Sequence, residues 1–380
     1  MPEDDARRGR VQHALRAWYR AAGRDLPWRH TRDPYAVLVS EVMLQQTQVE
    51  RVLPKYREFL ERFPTLEALA AAPTADVIRA WAPLGYNVRA VRLWDIARQA
   101  VARFGGSLPP TLDGLLELKG IGRYTAGAVA CFALGLPVAT VDTNIRRVLW
   151  RVFRGIEPAE WPSGMAAART ALALAEWALP RDPAGAYDWQ QALMDLGATI
   201  CGARRPACEH CPLTTECAAY AEVGRVTLFP SGEALARLRA ERAAHISGSA
   251  AMKTAAADTS DRVASDRVAE ERAGYAVGGD GGNGMRTTRR GGRRPAAQPF
   301  TSTSRYFRGR ALAALRALAP GDSLALPELG PRVKPDWTEG DLAWLRDIVA
   351  GLARDGLVRL DDADEGGAER VADMIRVALP

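Results

Sequence analysis

Four cysteines fall in one short stretch, as Cys201-x6-Cys208-x2-Cys211-x5-Cys217. Thiolates at this density can close around one metal centre, and both zinc and a four-iron four-sulfur (4Fe–4S) cluster accept four of them. A zinc ribbon shows two Cys-x2-Cys pairs across a long gap. Here a single pair is flanked by gaps of six and five, which suits a compact loop around a larger cluster, while a structural zinc knuckle stays compatible with the spacing. Cys131, inside the apolar run Ala126–Leu134, reads as core packing. Two carboxylates also stand out. Glu41 lies in Val37-Leu38-Val39-Ser40-Glu41-Val42-Met43-Leu44, apolar on nearly every side. An acid there loses hydration, which disfavours its charged form and leaves a proton to donate near neutral pH; an exposed Glu on an amphipathic helix fits the same spacing. Asp142 precedes Thr143-Asn144-Ile145-Arg146-Arg147-Val148 and is placed to cap a helix N-terminus.

The elements that must hold these groups are helical. Apolar residues recur at three- and four-residue spacing from about 11 to 220, in Val11–Tyr19, Val37–Val49, Val52–Phe63, Val77–Leu84, Val91–Phe104, Ala126–Leu134, Ile145–Phe153, Ala166–Leu179 and Trp189–Ile200. Short Pro, Gly, Thr and Asp punctuation separates them, and no strand-like alternation of any length intervenes, so the region reads as all-α. Leu118-Lys119-Gly120-Ile121-Gly122-Arg123-Tyr124-Thr125-Ala126 reads as a helix end, a tight turn and the start of the next helix. The glycines at 120 and 122 let the turn close and leave backbone N–H groups at a helix N-terminus for a phosphate; a helix turn with no ligand is the plain alternative.

Length and charge bound the rest. The chain has 380 residues, 51 basic and 45 acidic, with lysine only at 55, 119, 253 and 334. That length predicts two or three domains: 1–231, a helical domain with its cysteine loop at 201–217; 232–304, a low-complexity linker; and 305–380, a small module. The linker is rich in Ala, Gly, Ser, Thr and Arg, includes Arg289-Arg290-Gly291-Gly292-Arg293-Arg294, and is expected to be disordered for want of burial. In the last segment, helices over Arg305–Leu318 and Gly340–Ala353 followed by two short strands predict a winged-helix-like module. Net charge is +4, +4 and −2 over the three segments, so the basic excess belongs to the first two. No apolar run is long enough for a bilayer, and the polar N-terminus lacks a secretory core. The expectation is a cytosolic protein, without membrane partners, in which clustered cysteines bind metal.

The cysteine spacing and the Gly-x-Gly turn together resemble the endonuclease III superfamily of helix-hairpin-helix DNA glycosylases. Ser40-Glu41-Val42-Met43-Leu44-Gln45-Gln46-Thr47-Gln48-Val49 resembles the hallmark helix of its MutY-type adenine glycosylases. Leu26-Pro27-Trp28-Arg29, Asp33-Pro34-Tyr35 and Gln190-Gln191-Ala192-Leu193-Met194-Asp195-Leu196-Gly197-Ala198 match the same family, so that the resemblance covers about residues 10–225. It implies a two-lobed all-α fold with a 4Fe–4S cluster loop held by Cys201, Cys208, Cys211 and Cys217. Arg204 and Arg205 on that loop, and Gly120 and Gly122 of the hairpin, would meet DNA.

The resemblance further implies base excision from double-stranded DNA carrying A opposite 8-oxoguanine or G, by a monomeric bacterial enzyme on the nucleoid. Adenine is flipped into a pocket lined by Trp28, Arg29, Leu44 and Gln191. Glu41 protonates N7, Asp142 stabilises the sugar cation, and Tyr124 and Asn144 support the site. Gln45, Gln46, Thr47 and Tyr86 enter the duplex or touch the estranged purine. Bifunctional members carry a lysine nucleophile four residues after the first hairpin glycine; here that residue is Tyr124, which implies a monofunctional glycosylase. A Nudix-like signature, present after the glycosylase region in many relatives, is not visible beyond residue 230. The rivals are a thymine glycosylase for G·T mismatches, which can also carry Tyr at this position, and a non-catalytic DNA-binding protein on the same scaffold.

Overall fold

The structure is a computed structural model that describes residues 2–158, 164–224, 300–361 and 375–380. Nearly all of the expected linker, 232–304, lies outside the described residues. The helices of the first 224 residues are α1 (Pro2–Ala22), α2 (Pro34–Leu44), α3 (Val49–Arg62), α4 (Leu66–Ala71), α5 (Thr74–Trp81), α6 (Val88–Phe104), α7 (Leu112–Leu116), α8 (Arg123–Phe132), α9 (Thr143–Phe153), α10 (Met165–Ala178), α11 (Pro183–Thr199) and α12 (Ala218–Gly224). The chain divides into two compact units, one of Met1–Val37, Pro110–Leu116 and Ile121–Tyr275, the other of Leu38–Pro109, Glu117–Gly120 and Ala276–Pro380.

In the first unit α11 packs on both α1 and α9. Its core is built from Val11 and Leu15 of α1, Ile145 and Val148 of α9, and Trp189, Leu193 and Leu196 of α11, each essentially without exposure. Two acidic caps set the helix starts. Asp142 accepts from the Ile145 N–H at 2.7 Å to begin α9, and Asp182 accepts from Gly185 at 2.6 Å to begin α11 ahead of Pro183. At Gly197 the two helices approach closely: a Cβ there would fall 2.8 Å from Asn144 Cβ. A single methyl would therefore push α11 off the turn that carries Asp142.

The second unit is a layer of α3 to α6. Phe59, Ile78, Trp81, Leu93 and Ile96 are fully buried, and α6 lies against both α4 and α5. The α6 register explains this face: positions 89, 93, 96, 97 and 100 are buried, the i, i+4, i+7 pattern of a core-facing stripe. The helix ends at Gly105, whose φ of +63° gives the left-handed stop that glycine permits.

The C-terminal residues belong to this second unit. They form α13 (Ser304–Arg316), β1 (Ser323–Ala325), α14 (Leu326–Val333), α15 (Leu342–Arg354), β2 (Arg359–Asp361) and β3 (Arg376–Ala378). The sheet is antiparallel with β3 in the centre: Leu324 opposes Val377 on one side and Leu360 opposes it on the other. Helix–strand–helix–helix–strand–strand with this pairing is winged-helix topology. Sequence alone had predicted two helices and two strands here, so β1 and α14 are additions. In α14, Pro327 occupies the first turn, where a missing N–H costs nothing, while Pro331 lies inside the helix. Leu326, Leu329 and Val333 then face inward. The core is continuous with the helical layer, since Ile78 of α5 joins Leu312, Leu315, Leu345, Val349 and Val377 in one cluster. A backbone bond, Ala75 N–H to Pro380 O at 3.0 Å, closes the seam.

Candidate active site

Glu41 sits on α2 with 7% exposure, between the equally buried Ser40 and Val42. The helix ends three residues later, and its last carbonyls would be orphaned without a donor. One buried arginine supplies it. Arg89, on the core face of α6 and 4% exposed, donates from Nη1 to the carbonyls of Val42 at 3.0 Å, Met43 at 2.9 Å and Gln45. Its Nη2 reaches Thr47 Oγ1 at 3.0 Å and the Gly85 carbonyl at 3.1 Å. Burial first, then the nearby Arg51 and Arg92, push this guanidinium down to about 10.

The clamp joins two strained turns. Gln46 at φ +56° and Tyr86 at φ +46° are the described non-glycine residues in the left-handed region, a conformation that costs energy for a residue with a Cβ. Gln46 is exposed, Leu44, Gln45 and Thr47 are half-buried, and Tyr86 is 40% exposed. The structure thus brings the Glu41 helix end, the Gln45–Thr47 turn and Tyr86 together around Arg89. In the same unit Gly120, at φ +105°, ends the segment that Gln99 holds by bonds to both the N–H and the carbonyl of Lys119.

The second group lies in the first unit. Asp142, half-buried, accepts from Asn144 Nδ2 at 3.4 Å besides its cap bond. Its carboxyl is raised above the ordinary aspartate range because burial outweighs the hydrogen bonds from Ile145 and Asn144 and the charge of Arg147. Arg147 donates to Asn144 Oδ1 at 2.9 Å, to the Gly197 carbonyl at 2.7 Å and to the Cys201 carbonyl at 2.8 Å. A polar chain therefore runs from Asp142 to the first cysteine. Tyr124 in the first turn of α8 directs its hydroxyl to Met194 Sδ at 3.9 Å, and Gly122, the exposed N-cap of that helix, has open space where a Cβ would lie.

Trp28 and Gln191 are buried at 7% and 5%. Arg29 makes a bidentate pair with Asp195 of α11, at 2.7 and 2.9 Å, and Arg24 adds two more bonds to the same carboxylate. Burial alone would raise Asp195; the hydrogen bonds and charges of Arg29 and Arg24 win and hold it below its usual value. Arg29 Nε is buried and makes no hydrogen bond among the described residues, a donor in want of an acceptor.

The four cysteines are reduced and half-buried. Burial raises Cys208, Cys211 (to about 12) and Cys217, and the charges of neighbouring cysteines add to each shift, so the thiols lie close enough to oppose one another's ionisation. Among the described residues no three His, Cys, Asp or Glu groups converge on one point. The donor chemistry nevertheless fits a group that takes four thiolates: the sulfurs are unbridged, and Arg151 sets a cation 3.4 Å from Cys201 Sγ while bonding the Gly202 and Ala203 carbonyls. Arg7 pins the other end through the Glu216 carbonyl. Arg204 and Arg205 are exposed on the loop.

Residues 39–166 match the family model of HhH-GPD superfamily base excision DNA repair proteins. The adenine DNA glycosylase of Mycolicibacterium smegmatis is 46% identical over 201 residues, 53% of this chain and 66% of that one. The human adenine DNA glycosylase is 42% identical over 232 residues, 58% of this chain and 41% of the relative. A thymine-DNA glycosylase of Aeropyrum pernix is 37% identical over 224 residues, 57% of this chain and 97% of the relative. The chain belongs to the HhH-GPD superfamily. It spans less than two thirds of the length of these adenine glycosylases, whereas it spans the thymine-DNA glycosylase almost end to end.

Membership in the HhH-GPD superfamily accounts for the all-α fold and the hairpin, but three residues were missed by reasoning from sequence: Arg89, Arg147 and Asp195. A signal existed for two of them. Arg89 occupies a core register of α6, and Arg147 a core register of α9 next to Ile145, Val148 and Leu149; a charge on an apolar stripe must find partners inside. Asp195 lay within a quoted motif but had no visible partner, because Arg29 is 166 residues away.

Proposed function

We infer that this protein is a monomeric adenine DNA glycosylase that excises adenine opposite 8-oxoguanine or guanine. The observation that carries this reading is Glu41: a carboxyl buried on α2, whose helix leads straight into the Gln45–Thr47 turn in a region 42–46% identical to adenine DNA glycosylases. Glu41 donates a proton to adenine N7, so the electron pair of the breaking C1′–N9 bond leaves on a neutral base. The positive charge left on the sugar is met by Asp142 as carboxylate, and water completes hydrolysis at C1′. Trp28 stacks on the flipped base, and Arg29 Nε offers it an unused donor; Leu44 and Gln191 line the pocket. Gln45, Gln46, Thr47 and Tyr86 engage the duplex, and the Gly120–Gly122 hairpin with Arg204 and Arg205 takes phosphates.

Cys201, Cys208, Cys211 and Cys217 would hold a 4Fe–4S cluster, whose contribution is structural: it cross-links the loop. Arg147 and Arg151 carry that anchoring to α9 and Asp142. Among the described residues no helix is long and apolar enough to cross a membrane; the place of work that the proposed activity calls for is the bacterial nucleoid.

The full-length relative favours one second reading, a thymine glycosylase for G·T mismatches. Duplexes carrying A or T opposite 8-oxoguanine and G, incubated with enzyme and then alkali, separate the two: adenine release is expected, and thymine release alone would reverse the assignment. With Tyr124 in place of a lysine, borohydride is expected to trap no stoichiometric covalent adduct. A stoichiometric adduct would show a lyase.

A further inference from the structure

Tyr86 is one of few large apolar side chains left exposed among the described residues, and two arginines reach its ring. Arg89 of α6 lies 5.4 Å from the centroid. Arg305, in the first turn of α13, lies closer, at 4.1 Å, and is itself exposed. A stack between exposed groups gains little unless both partners are already fixed, because ordering two side chains costs entropy of the same size as the cation–π attraction. Here the backbone sets the position from which each side chain reaches. Tyr86 is locked by its left-handed turn, whose preceding carbonyl, that of Gly85, takes a bond from Arg89. Arg305 is delivered by a helix that buries Ala311, Leu312 and Leu315 in the cluster shared with Ile78, with Ala75 and Val91 packed on it. Arg79 adds a bond to the Leu318 carbonyl at 3.5 Å. Arg305 is one of four arginines on α13, of which Arg308 is paired with Asp355 and Arg310 bonds the Arg332 carbonyl.

We propose that Arg305 is a positioning residue for Tyr86: the C-terminal module holds one face of the ring so that the other is presented to a nucleobase of the bound duplex. This rests on the reading of Tyr86 as a duplex contact. The test compares the full chain with R305A, R305K, Y86L and R305A/Y86L. Affinity for a duplex with A opposite 8-oxoguanine is read by fluorescence anisotropy, and the Tyr86 ring resonances, assigned by their loss in Y86L, by NMR. R305A is expected to weaken binding about two- to fivefold, to shift the Tyr86 resonances and to leave the saturating excision rate unchanged. R305K should recover part of the affinity, and R305A should add nothing in the Y86L background. Unmoved Tyr86 resonances, or a loss of affinity that is undiminished in Y86L, would overturn the proposal, the latter showing a plain phosphate contact. Binding and the ring signal are read without excision, so failure of the parent protein to release adenine would strike the proposed activity and not this one.

Discussion

The two carboxylates are held by opposite means. Glu41 is buried within α2, and the helix end beyond it is tied down by a buried cation that bonds only backbone carbonyls and one hydroxyl. Asp142 stands at a helix start, and a chain of side chains running through Asn144 and Arg147 to Cys201 fixes the turn around it. The first arrangement depends on packing and on one guanidinium that holds the backbone. The second makes the acid dependent on partners that are themselves polar and anchored by the cysteine loop. The sequence supplies one setting from an apolar run and the other from a helix cap.

The largest effect expected from breaking this contrast is at Glu41. E41Q keeps the shape and the burial but has no proton to give, so single-turnover excision should fall by about 10²- to 10⁴-fold, with duplex affinity by anisotropy nearly unchanged. Parallel loss of binding would mark Glu41 as structural. Next is the clamp. R89A leaves buried carbonyls at 42 and 43 without donors, at about 1–3 kcal/mol each, so stability in urea should drop by roughly 3 kcal/mol. R89K should restore only part, since a single ammonium cannot span the acceptors that the guanidinium fork reaches. A change below 1 kcal/mol would show that water replaces the clamp.

How legible these arrangements were differs by range. The helices, the cap at Asp142 and the hairpin rest on neighbours within a turn or two, and spacing exposes them. The buried setting of Glu41 was legible because it sits in its own apolar run. Arg89 was not: its acceptors at Val42, Met43, Gln45 and Thr47 lie more than 40 residues upstream, and nothing local shows that they meet. The same holds for Arg29, whose pocket assignment gave no hint of the Asp195 pair. In the C-terminal module β1 pairs with a strand some 50 residues later, and three residues are too few for an alternation signal. The continuity of its core with Ile78 is a tertiary fact that no pattern within 305–380 contains.

The smallest effect tests the Asp142 side of the comparison and carries a sign. Burial raises this carboxyl above its unfolded value, so folding favours its protonated form. The associated stability is fully present below the unfolded pKa and is lost as pH rises through the folded one. At neutral pH the charged Asp142 is therefore a net cost to the fold, even though it caps α9. D142N retains the cap, since Asn serves there as well as Asp, and removes the charge. The variant should melt higher than the parent at pH 7 to 8, and the advantage should vanish as pH falls towards the ordinary aspartate range. Excision should be lost at every pH. If D142N melted lower than the parent at pH 8 yet matched it at pH 4, the hydrogen bonds to the carboxylate would outweigh its burial, and the upward shift of Asp142 would be refuted.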